Sequence, residues 1–483
     1  MLFYLPYPEE FFNKFLVLLC YKLGSDTDLI SVERMMSVSL VAMKASRTES
    51  SQQQERFTTY LNRIAQVAGH ADRVDPLQSY TKGLLLPIER KSIEPMAARL
   101  APNKVRQMHQ SLHHIVAEAA WSDAALLSEV RRQVLPAMTR RQPLAGWIVD
   151  DTGFPKKGTH SVGVARQYCG QLGKQENCRV AVSVSLATEQ ASQPVTYGLY
   201  LPEVWAHNAE RRTKTGVPKE VRFQTKPEIA LDQIRWLVAE KVPPAPVLAD
   251  AAYGNDHGFR NELEKLQLQY MVGVQSSTTV WPPRMVPLPP KASKATGRPP
   301  KLLRRDEKHQ PLTVKQLALC LSAADLRRVS WREGTRGTLR SRFAALRVRV
   351  AHRDYWRSQP HPEPWLLLEW PQSEKEPSKY WLSNLPASLS MRKLVAAAKL
   401  RWRIESDDEE LKQELGLGHF EGRNGRGFHH HAALCIAAYG FLVAERCLFS
   451  PQHRWHAGTI PLRLPRVPRR FQPRGSARPD RTA

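Results

Sequence analysis

From Phe57 to Leu135 the apolar residues return every three or four positions, through YLNRIAQVAGHADR, MAARLAPNKVRQMHQSLHHIVAEAA and SDAALLSEVRRQVL. That spacing predicts helices with one buried stripe, and Ser122 and Asp123 supply a cap for the last of them. At Ala145 the period changes. AGWIVDDTGFPKKG is a short apolar run closed by Asp150, Asp151 and a Gly/Pro turn, the pattern of a buried strand that delivers carboxylates at its end. Val180, Val182 and Val184 then alternate with polar residues, and VTYGLYLP follows from Val195 to Pro202, so three strands form a meander. A helix is predicted over Lys219 to Glu240, then a buried strand in APVLADAAYG ending at Asp250, a helix over Asp256 to Leu266 and a strand in LQYMVGVQ. Three strands, helix, strand, helix, strand mixes an antiparallel meander with parallel crossover units, a mixed α/β class.

Trp281 to Pro300 is crowded with prolines among lysines and arginines, which predicts an extended, exposed segment outside the core. Strand-like runs follow at 342–351 (RFAALRVRVA), 364–370 (PWLLLEW) and 379–385 (KYWLSNL), a β-rich insertion ahead of Leu400 to Gly418. That last stretch, LRWRIESDDEELKQELGLG, predicts one amphipathic helix. With Arg401 at zero and about 100° per residue, Glu405 falls near 40° and Lys412 near 20°, while Leu400, Ile404, Leu411 and Leu415 fall between roughly −40° and −100°. The acid sits between two bases, at the rim of a packed seam. Asp408, near −20° by the same count, could stand in for Glu405. Ala432 to Leu448 predicts a buried apolar helix, and His429 to His431 before it suit a capping or DNA-facing role better than a metal site.

Composition adds a partner. Lys and Arg number 71 against 46 Asp and Glu, a net charge of +25 with a pI near 10.0, and such a surplus on ordinary globular composition points to a polyanion, nucleic acid first. The tail from Arg454 to Arg481 holds Asp480 as its one acid, so it predicts an unfolded, phosphate-seeking segment. The cysteines (Cys20, Cys169, Cys178, Cys320, Cys435, Cys447) lack any C-x-x-C pair and predict reduced thiols, with a Cys169–Cys178 metal knuckle the weaker alternative. The apolar run Phe15 to Cys20 is too short to span a bilayer, so neither a membrane span nor an export leader is expected; the expected location is the cytoplasm, at the nucleoid.

Asp151 and Asp250 each end a predicted strand and Glu405 lies on the charged helix face, so three carboxylates come from elements able to pack side by side. Converging acids repel unless cations sit among them. Hard oxygen ligands suit Mg²⁺ or Mn²⁺, and two such ions about 3.5–4 Å apart serve in-line displacement at phosphorus. Arg401 and Lys412 would hold adjacent phosphates.

DDTG at 150–153, LADAAYG at 248–254, and Arg401, Glu405 and Lys412 at the spacing Arg-(3)-Glu-(6)-Lys resemble the DDE transposases of bacterial insertion sequences. In that branch the signature opens with a tyrosine, where this chain has Ala398. The resemblance covers about residues 55 to 450. It implies a ribonuclease-H-like catalytic core over 141–277 and 386–450, interrupted by a Pro-rich loop and β-strand insertion over 278–385. It also implies a helical DNA-binding domain over 55–140, beside a poorly determined extension (1–54) and the basic tail (451–483). By the same resemblance Asp151, Asp250 and Glu405 are the catalytic and metal-binding residues, Asp151 rather than Asp150 because the family's aspartate stands directly before threonine. The implied activity is metal-dependent cleavage at the element's ends and strand transfer into target DNA, by a homodimer on terminal inverted repeats. Arg298, in TGRPPK, is an expected minor-groove contact, and Trp331 an expected stacking platform for a flipped base. The competing readings are a nuclease on the same core that cuts without joining, and a DNA-binding remnant acting as a repressor.

Overall fold

The computed structural model describes residues 51–291, 300–334 and 337–449. The expected extension up to residue 50, the tail from 450 onward and Arg298 lie outside the described residues. The chain divides into two compact units, Met1–Asn62 and Arg63–Ala483. In the first, residues 51–62 are helical.

In the second unit the strands are β1 (Gly146–Pro155), β2 (Ala165–Cys169), β3 (Lys174–Ala187), β4 (Ser192–Tyr200), β5 (Val247–Ala249), β6 (Tyr270–Val274), β7 (Thr279–Trp281), β8 (Leu312–Thr313), β9 (Arg327–Gly334), β10 (Gly337–Arg347), β11 (Arg349–Val350), β12 (Trp365–Glu369) and β13 (Lys379–Ser383). The α-helices begin with α1 (Val74–Leu85), α2 (Ile93–Leu100), α3 (Val105–Ala117) and α4 (Asp123–Thr139). Among the core strands lie α5 (Glu203–Ala206), α6 (Ala209–Lys214), α7 (Lys226–Ala239), α8 (Ala251–Gly254) and α9 (His257–Lys265). Then come α10 (Val314–Leu319), α11 (Met391–Leu400), α12 (Trp402–Gln413) and α13 (Gly425–Phe449).

β1 pairs antiparallel with β3 and β3 with β4, while β1, β5 and β6 run parallel. The spatial order β4-β3-β1-β5-β6, three strands in a meander and two added by helical crossovers, is the ribonuclease-H-like arrangement. The insertion is continuous with it: β13 pairs antiparallel with β6, and β12, β10 and β9 follow outward, giving a ten-stranded sheet.

Strand alternation sorts the core onto two faces. Trp147, Val149, Val182, Val184, Val247 and Ala249 pack with Ile234 and Leu237 of α7 and Phe259 of α9. Ile148, Leu248 and Met271 face the other way, onto Leu394, Val395 and Ala398 of α11 and Ile404 of α12. α13 is long and apolar enough to cross a membrane, but 67% of its most apolar stretch is buried in the protein, where it packs on α1, α3, α4 and β4.

Several local expectations give way. The helix expected over 400–418 breaks at Arg401 and ends at Gln413, with Gly416 at φ 70° beyond it. The helix expected from Lys219 starts at Lys226, because Thr225 and Glu228 form a capping box and Pro227 fits only a first turn. Trp281 is fully buried, its indole N–H donating to Asp354 Oδ2 at 2.6 Å, so the Pro-rich segment starts inside the core. His430 and His431 lie buried within α13. His430 stacks on Trp121 with ring centroids 3.7 Å apart, and His431 hydrogen-bonds the Tyr80 hydroxyl at 2.9 Å. They bind helix to helix. Cys169 and Cys178 are buried free thiols beside Val180.

α12 is anchored from below by Asp407, 2% exposed, which accepts hydrogen bonds from Ser192 of β4 at 2.6 Å and Tyr439 of α13 at 2.9 Å. Burial pushes its carboxyl up to about 7. The folded protein therefore holds this proton above the ordinary carboxylate range, so stability falls as pH rises from about 4 to about 7. Asp407→Asn removes that term and keeps an acceptor for both hydroxyls. Urea denaturation across pH 5 to 8 is expected to show a shallower loss of stability in the variant, with its gain over wild type confined to the upper end.

Candidate active site

β1 and β5 run in parallel register, Trp147 beside Val247 and Ile148 beside Leu248. Two residues further on, this register brings Asp150 level with Asp250, the first residue past β5. Alternation places Asp150 on the face of Ile148, under α11 and α12, and Asp151 on the face of Trp147 and Val149, over α7. Asp250 turns the chain: its Oδ1 accepts from the Ala252 amide at 2.9 Å and caps α8. That turn lies so close against β6 that a Cβ on Gly254 would stand 1.9 Å from the Gly273 carbonyl oxygen.

Arg401, at the bend between α11 and α12, joins the acids. It donates to Asp150 Oδ2 at 2.7 Å and to Glu405 Oε1 at 3.3 Å. Burial alone would depress its guanidinium, but the charges of Asp150, Asp250 and Glu405 outweigh that and raise it. Burial likewise pushes the Asp150 carboxyl up, to about 7, against the pull of Arg401. Asp151 has its own cation: Lys226, at the start of α7, donates to Oδ2 at 2.7 Å, and the Tyr253 hydroxyl stands 3.5 Å from Oδ1. Asp408, raised by burial, bonds Thr152 of β1 and feels the charges of Lys412, Asp151 and Glu405. Lys412 points inward, its ammonium 3.3 Å from the Gly153 carbonyl and 5.2 Å from the Phe154 ring centre.

Asp250, Arg401 and Glu405 line an open cavity of about 710 Å³ between the core and the insertion. Trp331 and Arg332 of β9 form part of its wall, as does Trp402. Trp331 packs edge-on against Phe343 and carries the Lys399 ammonium 4.4 Å from its ring centre, and Arg332 lies 3.8 Å over Trp402. Asp150 stands one hydrogen bond behind the cavity, on Arg401.

The donors are carboxylates throughout, which suits a hard divalent cation such as Mg²⁺ or Mn²⁺. Among the described residues no three His, Cys, Asp or Glu side chains are gathered closely enough to hold one ion; Arg401 and Lys226 now hold the acids. Lys226, Tyr253 and Thr152 escaped the sequence reading, since their roles depend on which elements pack together. The local signal available for them is the Thr225-x-x-Glu228 capping box, which marks the start of the helix that carries Lys226.

Residues 57–338 match the family model of the DDE superfamily endonucleases. The chain belongs to that family. The match takes in the β1 and β5 acids of this DDE endonuclease family member and stops short of Glu405, whose placement comes from the fold. The chain is 30% identical over 196 residues to a probable transposase for insertion sequence element IS701 from Microchaete diplosiphon, a match covering 40% of this chain and 47% of that protein. It thus spans about half the length of this curated relative. Among solved structures it is similar to a piggyBac transposase synaptic complex with hairpin DNA, at a TM-score of 0.34 and 10% identity, over 80% of this chain and 74% of that one.

The close seat of Asp250 against β6 has a measurable consequence. Gly254→Ala forces the α8 turn off Gly273 and is expected to lower stability by about 1–3 kcal/mol. Gly158→Ala, where an added Cβ meets nothing within 4 Å, should leave it within about 0.5 kcal/mol. Paired urea melts read both.

Proposed function

We propose that this protein is a transposase that cleaves DNA at the ends of an insertion element and joins them to target DNA, by cut and paste. The observation that carries the reading is the meeting of the β1 end, Asp250 and Glu405 around Arg401, at the mouth of one open cavity in a strongly basic chain. The working carboxylates are Asp250, Glu405 and a β1 aspartate, for which the family's spacing names Asp151. These residues would hold two Mg²⁺ or Mn²⁺ ions, whose chemistry is to sharpen a water or 3′-hydroxyl as nucleophile and to stabilise the leaving oxygen.

The chain's own part is placement. The α8 turn fixes Asp250, α12 carries Glu405 on a helix clamped by Asp407, and Arg401 offers a guanidinium to the scissile phosphate or to the acids. Lys412, held against β1, contributes positive potential beneath the same phosphate. The helices from α1 to α4 are the proposed reader of terminal inverted repeats, in a homodimer acting on DNA at the nucleoid. Trp331 already serves the packing of β9 and β10; exposure of its ring to a flipped base requires Lys399 to move.

With terminal-repeat DNA, a target plasmid and Mg²⁺, the expected products are cleaved ends and joined molecules. Cleaved ends without joining would leave only a nuclease, and Asp250→Ala with undiminished products would refute the catalytic assignment. Repeat binding is expected to fall by about 10³-fold or more between 50 and 200 mM salt, for roughly six or more phosphate contacts. An affinity unchanged over that range would contradict a phosphate-dominated surface.

A further inference from the structure

The turn after β11, residues 353–357, holds one side chain deep and sends the next two outward. Asp354 is 1% exposed and accepts from the Trp281 indole at 2.6 Å and from Arg305 Nε at 3.1 Å. Tyr355 and Trp356, next along, are 44% and 60% exposed, and their rings meet edge-on, centroids 5.6 Å apart and planes at 85°. Arg353 enters the turn in the left-handed region, at φ 51° and ψ 27°, which a residue with a Cβ adopts at a cost in strain. Backbone bonds from the Leu303 amide to Arg357 and from the Trp356 amide to Arg353 close it. The turn is thus held in one shape without burying either ring.

Exposed aromatic rings cost hydration free energy, and these two stand among cations. Arg353 lies 4.8 Å over Trp356 and Arg305 lies 5.3 Å over Tyr355, with Arg357 exposed beside them. Arg305 neutralises Asp354 at 2.6 Å, which leaves Arg353 and Arg357 as net positive charge in the turn. Aromatic faces beside guanidinium groups suit a polyanion whose bases are free to stack. Duplex DNA keeps its base faces inside and offers such a surface phosphates alone, whereas single-stranded DNA offers both. A second copy of this chain fits poorly, because a two-fold contact through the turn sets Arg353 and Arg357 against their own counterparts.

We propose that Tyr355 and Trp356, flanked by Arg353 and Arg357, form a site for single-stranded DNA, bound by stacking and charge and not by sequence. None of these residues lines the cavity of Asp250 and Glu405, so the site is separate from the carboxylates. It rests on the reading of the protein as one that works on DNA.

The test is binding of the full-length protein, by fluorescence anisotropy, to a labelled oligothymidylate of about 16 nucleotides and, separately, to the terminal-repeat duplex, both without divalent ions. The double variant Tyr355→Ala/Trp356→Ala is expected to bind the oligothymidylate about tenfold or more weakly, and the duplex within about twofold of wild type. Trp356→Phe, which keeps a ring to stack on, should stay within about threefold for both. Thermal melts check the fold, and if the double variant does not fold, Trp356→Ala is read in its place. The second readout is an oligothymidylate carrying bromodeoxyuridine and irradiated on the wild type, whose cross-linked peptide should contain Tyr355 or Trp356. Undiminished oligothymidylate binding in the aromatic variant, or cross-links confined to other peptides, overturns the inference. So does a changed sedimentation coefficient without loss of oligothymidylate binding, which makes the patch a protein contact instead. Wild type that binds the duplex but not the oligothymidylate overturns the inference and leaves the DNA reading standing, whereas wild type that binds neither overturns that reading itself.

Discussion

Carboxylates brought to one place repel each other, and the fold around this site is shaped by what offsets that repulsion. Arg401 does so between Asp150 and Glu405, and Lys226 does so for Asp151. Two unit charges about 4 Å apart in a partly screened setting interact by some 4 kcal/mol, comparable to a large part of a domain's net stability. Such a cluster is maintained only where cations are built in or ions are bound. The helix break at Arg401 follows from this demand: a straight helix through 400–413 would carry the guanidinium along the α12 face, whereas the bend lets it reach back to β1 as well as forward to Glu405.

The rest of the core holds these charges still. β5 supplies no more than three residues before Asp250 turns the chain, and the turn is locked by its own cap and by the glycine-to-glycine approach to β6. On the other element, Asp407 faces directly away from solvent into Ser192 and Tyr439, so α12 cannot roll without breaking two buried hydrogen bonds. α13 in turn joins the N-terminal helices to the sheet within the second unit: His430 and His431 bond Val116 and Tyr80, and His429 accepts from the Leu199 amide of β4. Helices α1 to α4 and the sheet are thus packed together through α13 within the second unit, an arrangement that the proposed function of holding DNA at a set distance from the acids would use.

Much of the fold was legible in the chain, for a local reason. Strands buried on both faces are near-continuous apolar runs, and WIVDD and VLAD announce both the strands and the acids at their ends. What was illegible depends on neighbours far away in sequence. β2 and β9 are edge strands with little apolar pattern to mark them: ARQYC is polar over most of its length, and in RRVSWREG only Val329 and Trp331 alternate among the charges. The Lys226–Asp151 pair spans 75 residues and the Arg401–Asp150 pair 251, so no window along the chain contains either. The choice between Asp150 and Asp151 is of the same kind. Both sit at the end of the same run, and only the register with β5 says which one faces the Glu405 helix.

The most direct measurement is anomalous diffraction from crystals of the protein bound to its terminal-repeat DNA with Mn²⁺. The account predicts manganese peaks about 2.0–2.3 Å from carboxylate oxygens of Asp250 and Glu405, with a β1 aspartate completing the set and Arg401 displaced from between Asp150 and Glu405. Peaks that leave Asp250 and Glu405 on different ions with no shared ligand, or a fully occupied complex with no peak at these residues, would contradict it.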